Sequence, residues 1–158
     1  TPSFRGRRIE AGLLSAGQDF TNGTNPFTVG LGRFVDLNKD DFIGKKVLVN
    51  SDKKCRSWGL RVVDGVAKKG RTLKINNELI GSVTSSTWSP YQVCGVGIVL
   101  LDSYEIGPES VVDVECTDGK IHKAEICTLP MYDPKGEIVR GLNTKIPTKP
   151  EPWRGIKN

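Results

Sequence analysis

Between Cys55 and Ile126 the chain is built from short, β-branched runs, and this constrains its fold more than any other feature. Trp58-Gly-Leu60-Arg-Val62, Ile80-Gly-Ser-Val83-Thr, Val93-Cys-Gly-Val96-Gly-Ile98-Val-Leu-Leu101, Val111-Val-Asp-Val114-Glu and Ile121-His-Lys-Ala124-Glu-Ile126 follow in order. Turn signals lie between them: Asn76-Asn77, Ser89-Pro90, Gly107-Pro108 and Asp118-Gly119. Asp118-Gly119 between two alternating runs reads as a two-residue hairpin, because both positions tolerate positive φ. Strands at this spacing predict an antiparallel β-barrel or closed sandwich over residues 55–130. Val83, Val96, Ile98, Leu100 and Ile126 are its expected buried side chains.

The flanks have a different texture. Over Arg8 to Ser15 the spacing of Ile9, Leu13 and Leu14 predicts a short helix, with Gly12 a weak point inside it and Gly17 its stop. Asn22-Gly23 and Asn25-Pro26 mark turns, and Thr28 to Leu37 reads as a strand. Asn38-Lys39-Asp40-Asp41 reads as the cap of a helix running through Lys45 to Asn50, a side-chain oxygen there being able to accept from the free amides of the first turn. After Asp133-Pro134 the composition turns to Lys, Pro, Gly and Thr, and Lys145 to Asn158 is expected to be extended or poorly ordered. The chain thus divides at about residues 50 and 132 into an α+β segment, a barrel and a basic, Pro-containing tail.

A chain of 158 residues supports one good core or two small ones. No apolar run approaches the roughly 20 residues of a membrane helix, and no signal-peptide layout opens the chain. A start at Thr1 fits a fragment or a processed product. The net charge of +5 is carried by scattered residues, such as Lys45-Lys46, Lys53-Lys54 and Lys68-Lys69, with no interleaved aromatic rings. That distribution argues against a nucleic-acid groove and for a solvated surface with an anionic small-molecule ligand. Cys55, Cys94, Cys116 and Cys127 form no Cys-x-x-Cys pair, and His122 is the single histidine. The pattern points to reduced, buried thiols in a cytoplasmic protein rather than to zinc.

Arg8-Ile9-Glu10-Ala11-Gly12-Leu13-Leu14, then Gly17 and Asp19, Asn25-Pro26-Phe27 and Phe42-Ile43-Gly44-Lys45 form an ordered set. The set resembles the tetrahydrofolate-dependent aminomethyltransferase family of the glycine cleavage T-protein, over roughly residues 8–130 and only in its C-terminal portion. Leu13-Leu14-Ser15, Asp19-Phe20, Asn22 and Asn25-Pro26-Phe27 look most like the dimethylsulfoniopropionate demethylase branch. The resemblance implies that residues 1–50 are a remnant of the folate-binding lobes and residues 51–132 the C-terminal barrel. It also implies a tetrahydrofolate cofactor, a small methyl or aminomethyl donor, and the N-terminal lobes of the same protein as partner. An acidic catalytic residue and most of the folate cleft would come from those lobes, so this chain alone is expected to be inactive and carries no catalytic assignment.

Folate ends in carboxylates, which the planar fork of arginine can bind with two parallel hydrogen bonds. Arg5, Arg7 and Arg8 are the densest cationic cluster. Arg8 matches the second Arg of the family pattern Ala-Arg-Asp-x-Leu-Arg-x-Glu-x-Gly, whose first Arg falls on Phe4, one step from Arg5. Arg5, Arg8 and Glu10 are therefore cofactor-binding candidates, the alternative for Arg8 and Glu10 being to hold the helix in place. Thr84-Ser85-Ser86-Thr87-Trp88-Ser89-Pro90 resembles the family loop Thr-Ser-x-x-x-Ser-Pro, where Trp88 could close a pocket or the hydroxyls could merely fix a connection. Ala16 stands where the family often has Tyr, removing a stacking contact. His122 reads as a solvent-facing strand residue. The alternatives to a demethylase-like enzyme are a T-protein aminomethyltransferase and a non-catalytic, basic β-barrel interaction module.

Overall fold

The computed structural model describes residues 2–145 and 147–156; Ile146, Lys157 and Asn158 of the expected tail lie outside the described residues. Helix α1 (Pro2–Glu10) is followed by turns, a 3-10 turn at Gly32–Phe34, and helix α2 (Lys45–Asn50). Six strands come next: β1 (Ser57–Val62), β2 (Gly70–Ile75), β3 (Glu78–Ser89), β4 (Cys94–Leu101), β5 (Val111–Glu115) and β6 (Ile121–Cys127). They close into an antiparallel barrel in the order β1-β4-β3-β2-β5-β6. Closure gives each described strand a neighbour on both sides, β2 and β5 meeting through only two residue pairs.

Each of the five expected runs is a strand, and β2 is an additional one. It lacks a regular alternation: Thr72 and Leu73 are both buried between Arg71 and Lys74, and its ladder with β3 is irregular at Leu73. Asn76 and Asn77, with φ of 50° and 67°, make the tight connection from β2 to β3 across the Ile75–Glu78 pair. At the β5–β6 hairpin only Gly119 takes a positive φ, 78°. Cys116 and Lys120 close a three-residue loop there, so a type I turn with one left-handed Gly replaces the expected two-residue turn.

Strand β4 explains the layering. Val99 and Leu101 enter the barrel interior with Leu60, Val62, Leu73 and Ile126. Cys94, Val96 and Ile98 point outward, yet they too are buried, beneath Ile9 of α1 and Leu14, Leu129, Met131 and Trp153. A strand covered on both faces reads as a continuous apolar run, as this one does. Leu100, expected to be buried, is only half-buried, whereas Val99 and Leu101 on either side of it are buried.

Three expectations in the flanks differ. Helix α1 ends at Glu10 rather than running to Ser15. Gly12, at φ 68°, donates to Ile9 O and Leu13 donates to Arg8 O, the double bond pattern of a glycine-terminated helix. Thr28 to Leu37 forms turns and a 3-10 segment, since Gly30 sits at φ 75° and Gly30 N and Leu31 N bond back to Phe27 O and Pro26 O. Helix α2 is present, but its first position is preceded by Gly44 and no side chain caps it. The C-terminal stretch has no regular element, yet it docks: Glu151 N donates to Tyr91 O at 2.8 Å and Trp153 N to Gln92 O at 2.7 Å.

Gly95 tests the tightness of the barrel. A Cβ there would overlap the Gly65 carbonyl oxygen and come within 3.2 Å of Val62 Cβ. Gly95→Ala should destabilise the protein by about 1–3 kcal/mol, the usual cost of overpacking. Gly107 has nothing within 4 Å of such an atom, so Gly107→Ala should stay within about 0.5 kcal/mol of wild type. Urea midpoints for the two variants check this; equal midpoints would contradict the close approach of Gly95 and Gly65.

Candidate functional site

The site is the seam where α1 and the turn after it meet β3. On the outer face of β3, Ser85, Thr87 and Ser89 alternate opposite Ile98, Val96 and Cys94 of β4. These small side chains let the helix come close, and an added Cβ on Gly6 would stand 3.6 Å from Trp88 O. The helix ends at its glycine stop, and the chain then turns so that Asp19 N donates to Ser15 O and Ser15 N to Asp19 Oδ2, both at 2.8 Å. Asp19 is thereby aimed back at the seam.

Its carboxylate is the centre of a dense set of bonds. Arg8 Nη1 donates to Asp19 Oδ2 at 2.7 Å and to Leu13 O at 2.7 Å, while Arg8 Nη2 donates to Ser85 Oγ at 2.8 Å. The Thr84 and Ser85 hydroxyls reach Asp19 Oδ1 at 2.6 and 2.7 Å. Two consecutive strand residues can reach one carboxylate because β3 carries a bulge between Val83 and Ser85, which leaves Thr84 out of the regular ladder. The Asp19 side chain has no exposed surface and that of Arg8 has 14%. Burial pushes the Asp19 pKa up, but the Thr84, Ser85, Arg8 and Ser15 donors outweigh it and hold the group below the ordinary value of 3.8.

Glu10, two residues on at the end of α1, makes the second anchor. Its carboxylate accepts from Ser89 Oγ, which in turn accepts from Gln92 N at 2.9 Å, and Glu10 O accepts from Met131 N at 2.7 Å. Arg8 and Glu10 therefore each bond the barrel. Arg5 is exposed on α1. Trp88 is 42% exposed, and the alternation of β3 places its ring on the face opposite to Ser85 and Ser89. The structure brings Arg8 and Glu10 together at the seam and leaves Arg5 and Trp88 at its surface.

The described residues show no nucleophile–base pair at this seam. Cys94, Cys116 and Cys127 are buried, and desolvation lifts their thiols to about 11, 11 and 12. They are not thiolates near neutral pH. His122 is half-buried rather than fully exposed, with Nε2 at 2.9 Å from Asp118 Oδ2. No group of three metal-ligating side chains occurs among the described residues, and no described helix is long and apolar enough to cross a membrane. The seam can hold and orient.

Residues 56–133 match the model of the glycine cleavage T-protein C-terminal barrel domain. The barrel belongs to the glycine cleavage T-protein family. An aminomethyltransferase from Prochlorococcus marinus strain NATL1A is 37% identical over 132 residues, covering 79% of this chain and 35% of the relative. The Thermotoga maritima aminomethyltransferase is 36% identical over 137 residues, covering 84% and 36% respectively. In three dimensions the chain is similar to the crystal structure of the glycine cleavage system aminomethyltransferase T from Bartonella henselae, with a TM-score of 0.71, 26% identity, and 82% and 38% coverage. The chain thus spans about a third of the length of the relatives it matches.

At the seam between α1 and this T-protein barrel, the residues that sequence reasoning undervalued are Asp19, Ser85 and Ser89. Asp19 was visible only as part of a Gly-x-Asp spacing, and the two serines as loop hydroxyls; their contacts span 66 and 79 residues of chain. Removing the carboxylate should be costly. Asp19→Asn should lower stability by about 3 kcal/mol, because breaking a buried pair leaves its partner uncompensated, with partial exposure of Arg8 favouring the lower end. Since the folded pKa of Asp19 is depressed, its contribution is present above the unfolded value and is lost as pH falls through the folded one. The gap between wild type and Asp19→Asn in urea melts should therefore be full at pH 6 and shrink below pH 4 or so; a pH-independent gap would refute the charge-based account.

Proposed function

We propose that the chain is the C-terminal part of a tetrahydrofolate-dependent enzyme that transfers a methyl or aminomethyl group, and that it is inactive without its N-terminal portion. The observation that carries this is the conjunction of the T-protein barrel with the Arg8–Asp19 seam, which holds residues 2–19 against it. Folate, when bound, supplies a reduced nitrogen that accepts the one-carbon unit. The chain's own part is positional. Arg5 offers a guanidinium for a carboxylate, and Trp88 a ring for a flat heterocycle. Arg8 and Glu10 act by holding α1 where Arg5 is presented, since their polar atoms are committed to Asp19, Ser85, Leu13 and Ser89.

The methyl donor in this reading is a sulfonium such as dimethylsulfoniopropionate, supported by Leu13-Leu14-Ser15 and Asn25-Pro26-Phe27. A second reading, transfer of an aminomethyl group from a lipoyl carrier, is supported by the aminomethyltransferases among the relatives. The N-terminal lobes are the partner in both. Phe4, Leu13, Phe34, Ile43 and Val47 are large apolar side chains left exposed, a surface that suits a further layer of protein. The thiol chemistry fits a cytoplasmic setting.

Isolated chain mixed with tetrahydrofolate and either donor should give no methylated or methylene folate by liquid chromatography, whereas the protein extended by its N-terminal lobes should. Turnover by the isolated chain would overturn the positional reading. In the extended protein, Arg5→Ala should weaken folate affinity roughly tenfold in titration calorimetry, the loss of one bond to a charged group. Its urea midpoint should stay unchanged. Arg8→Ala should lower both affinity and midpoint, and His122→Ala neither. An Arg5→Ala protein with wild-type affinity would remove Arg5 from the site.

A further inference from the structure

A cavity of about 950 Å³ lies outside the barrel, between the outer faces of β1 and β6 and the C-terminal segment. Its volume falls in the range of small-molecule pockets. The floor is Arg61 beside Gln92. Arg61 Nε donates to Gln92 Oε1 at 2.8 Å, which fixes the plane of the guanidinium. Among the described residues, its terminal nitrogens have one acidic neighbour, Glu125 Oε1 at 4.0 Å, too far for a hydrogen bond. Gln92 is only 5% exposed, and its Nε2 reaches nothing better than Met131 Sδ at 3.9 Å. A buried amide and an oriented guanidinium thus present donors to a cavity that gives them little to bond.

The walls suggest the rest of the ligand. Tyr91 and Tyr132 meet edge to face, with centroids 5.2 Å apart, and Trp153 lines the same cavity. Four acids line the cavity with Arg61, Lys145 and Arg154: Asp133 accepts from Glu137 N and Ile138 N at 2.8 and 2.9 Å, Glu151 Oε2 accepts from Tyr91 Oη at 2.8 Å, and Glu125 and Glu137 complete the set. The segment that roofs the cavity is held by alternate residues, Glu151 N to Tyr91 O and Trp153 N to Gln92 O. We propose that this cavity is a second binding site, separate from the α1–β3 seam, for a small carboxylate with a flat apolar body. Arg61 takes the carboxylate through its terminal nitrogens, Gln92 holds the guanidinium plane and adds a donor, and the Tyr91–Tyr132 pair packs on the body. The bidentate fit of a guanidinium to a carboxylate is the source of the selectivity. The inference does not rest on folate binding: Gln92 meets the Glu10 anchor through its main-chain N–H, while its side chain is turned to Arg61.

Sodium benzoate is a suitable probe, with benzamide as its neutral isostere and benzylamine as its cationic one. In amide-resolved nuclear magnetic resonance of this chain, benzoate should produce saturable shifts centred on Arg61, Gln92 and the Trp153 indole. Benzamide should bind about tenfold more weakly, the effect of losing a charge-assisted pair. Arg61→Ala should abolish the benzoate shifts and Arg61→Lys should restore them only in part, each with an otherwise unchanged spectrum as evidence of an intact fold. Absence of saturable shifts around Arg61, equal binding of benzamide, preferential binding of benzylamine, or undiminished binding by a folded Arg61→Ala would overturn the proposal.

Discussion

The structure turns on a single buried carboxylate. Asp19 lies in the turn after α1, far in sequence from β3, and it receives Arg8, Ser15, Thr84 and Ser85. An ionised group without exposed surface is tolerable only when its oxygens are saturated by donors. Here the donors come from three places: the helix, the turn and the bulged strand. Satisfying one ion therefore registers all three, and a shift of any of them would strand a charge. The same demand explains why β3 is bulged at Thr84, where a regular ladder would turn that hydroxyl to the opposite face.

A barrel of six short strands ordinarily has one core. This one has two, because β4 is apolar on both faces. Its outward residues Cys94, Val96 and Ile98 require a cover, and α1, the segment around Leu129–Met131 and Trp153 provide it. The helix and the C-terminal segment are thus part of the barrel's hydrophobic economy. The polar seam supplies geometry, while Ile9, wholly buried under the same helix, contributes non-directional attraction. The two act together: apolar burial brings the helix down, and Arg8 and Glu10 set its rotation and height.

Cationic side chains serve different purposes in the two regions of interest. Arg8 is enclosed and spent on internal acceptors, so its position is rigid and its charge is neutralised by Asp19. Arg61 is oriented by a neutral amide and meets its acidic neighbour only at 4.0 Å, so its charge remains available. An arginine held by an amide is preorganised for an incoming anion, whereas one held by a carboxylate is already complexed. That contrast separates a structural arginine from a recognition arginine more clearly than the number of either in the sequence.

The strands were legible because their evidence is local. β-branched runs, an Asn-Asn pair and a Gly in a hairpin act over a few residues, and five of six strands with the closed antiparallel form follow from them. The sixth, β2, escaped because it is irregular at Leu73 and buries two consecutive residues, Thr72 and Leu73, so no period of two marks it. The Thr28 to Leu37 stretch misled in the opposite way: its apolar residues suit a strand, but Gly30 and the turn bonds to Pro26 and Phe27 impose a different path. Arg8 and Glu10 were recognisable as special, yet their strand partners Ser85 and Ser89 were not, since pairing across 77 and 79 residues depends on how strands are ordered in the closed sheet. Sequence by itself determined five of the six strands and the barrel, because propensity, turn geometry and periodicity are short-range, and its ordered motifs carried the resemblance to the family. Only the tertiary structure decided which side chains share a dielectric interior, and therefore which carboxylate is held ionised, which arginine is spent and which remains free to bind.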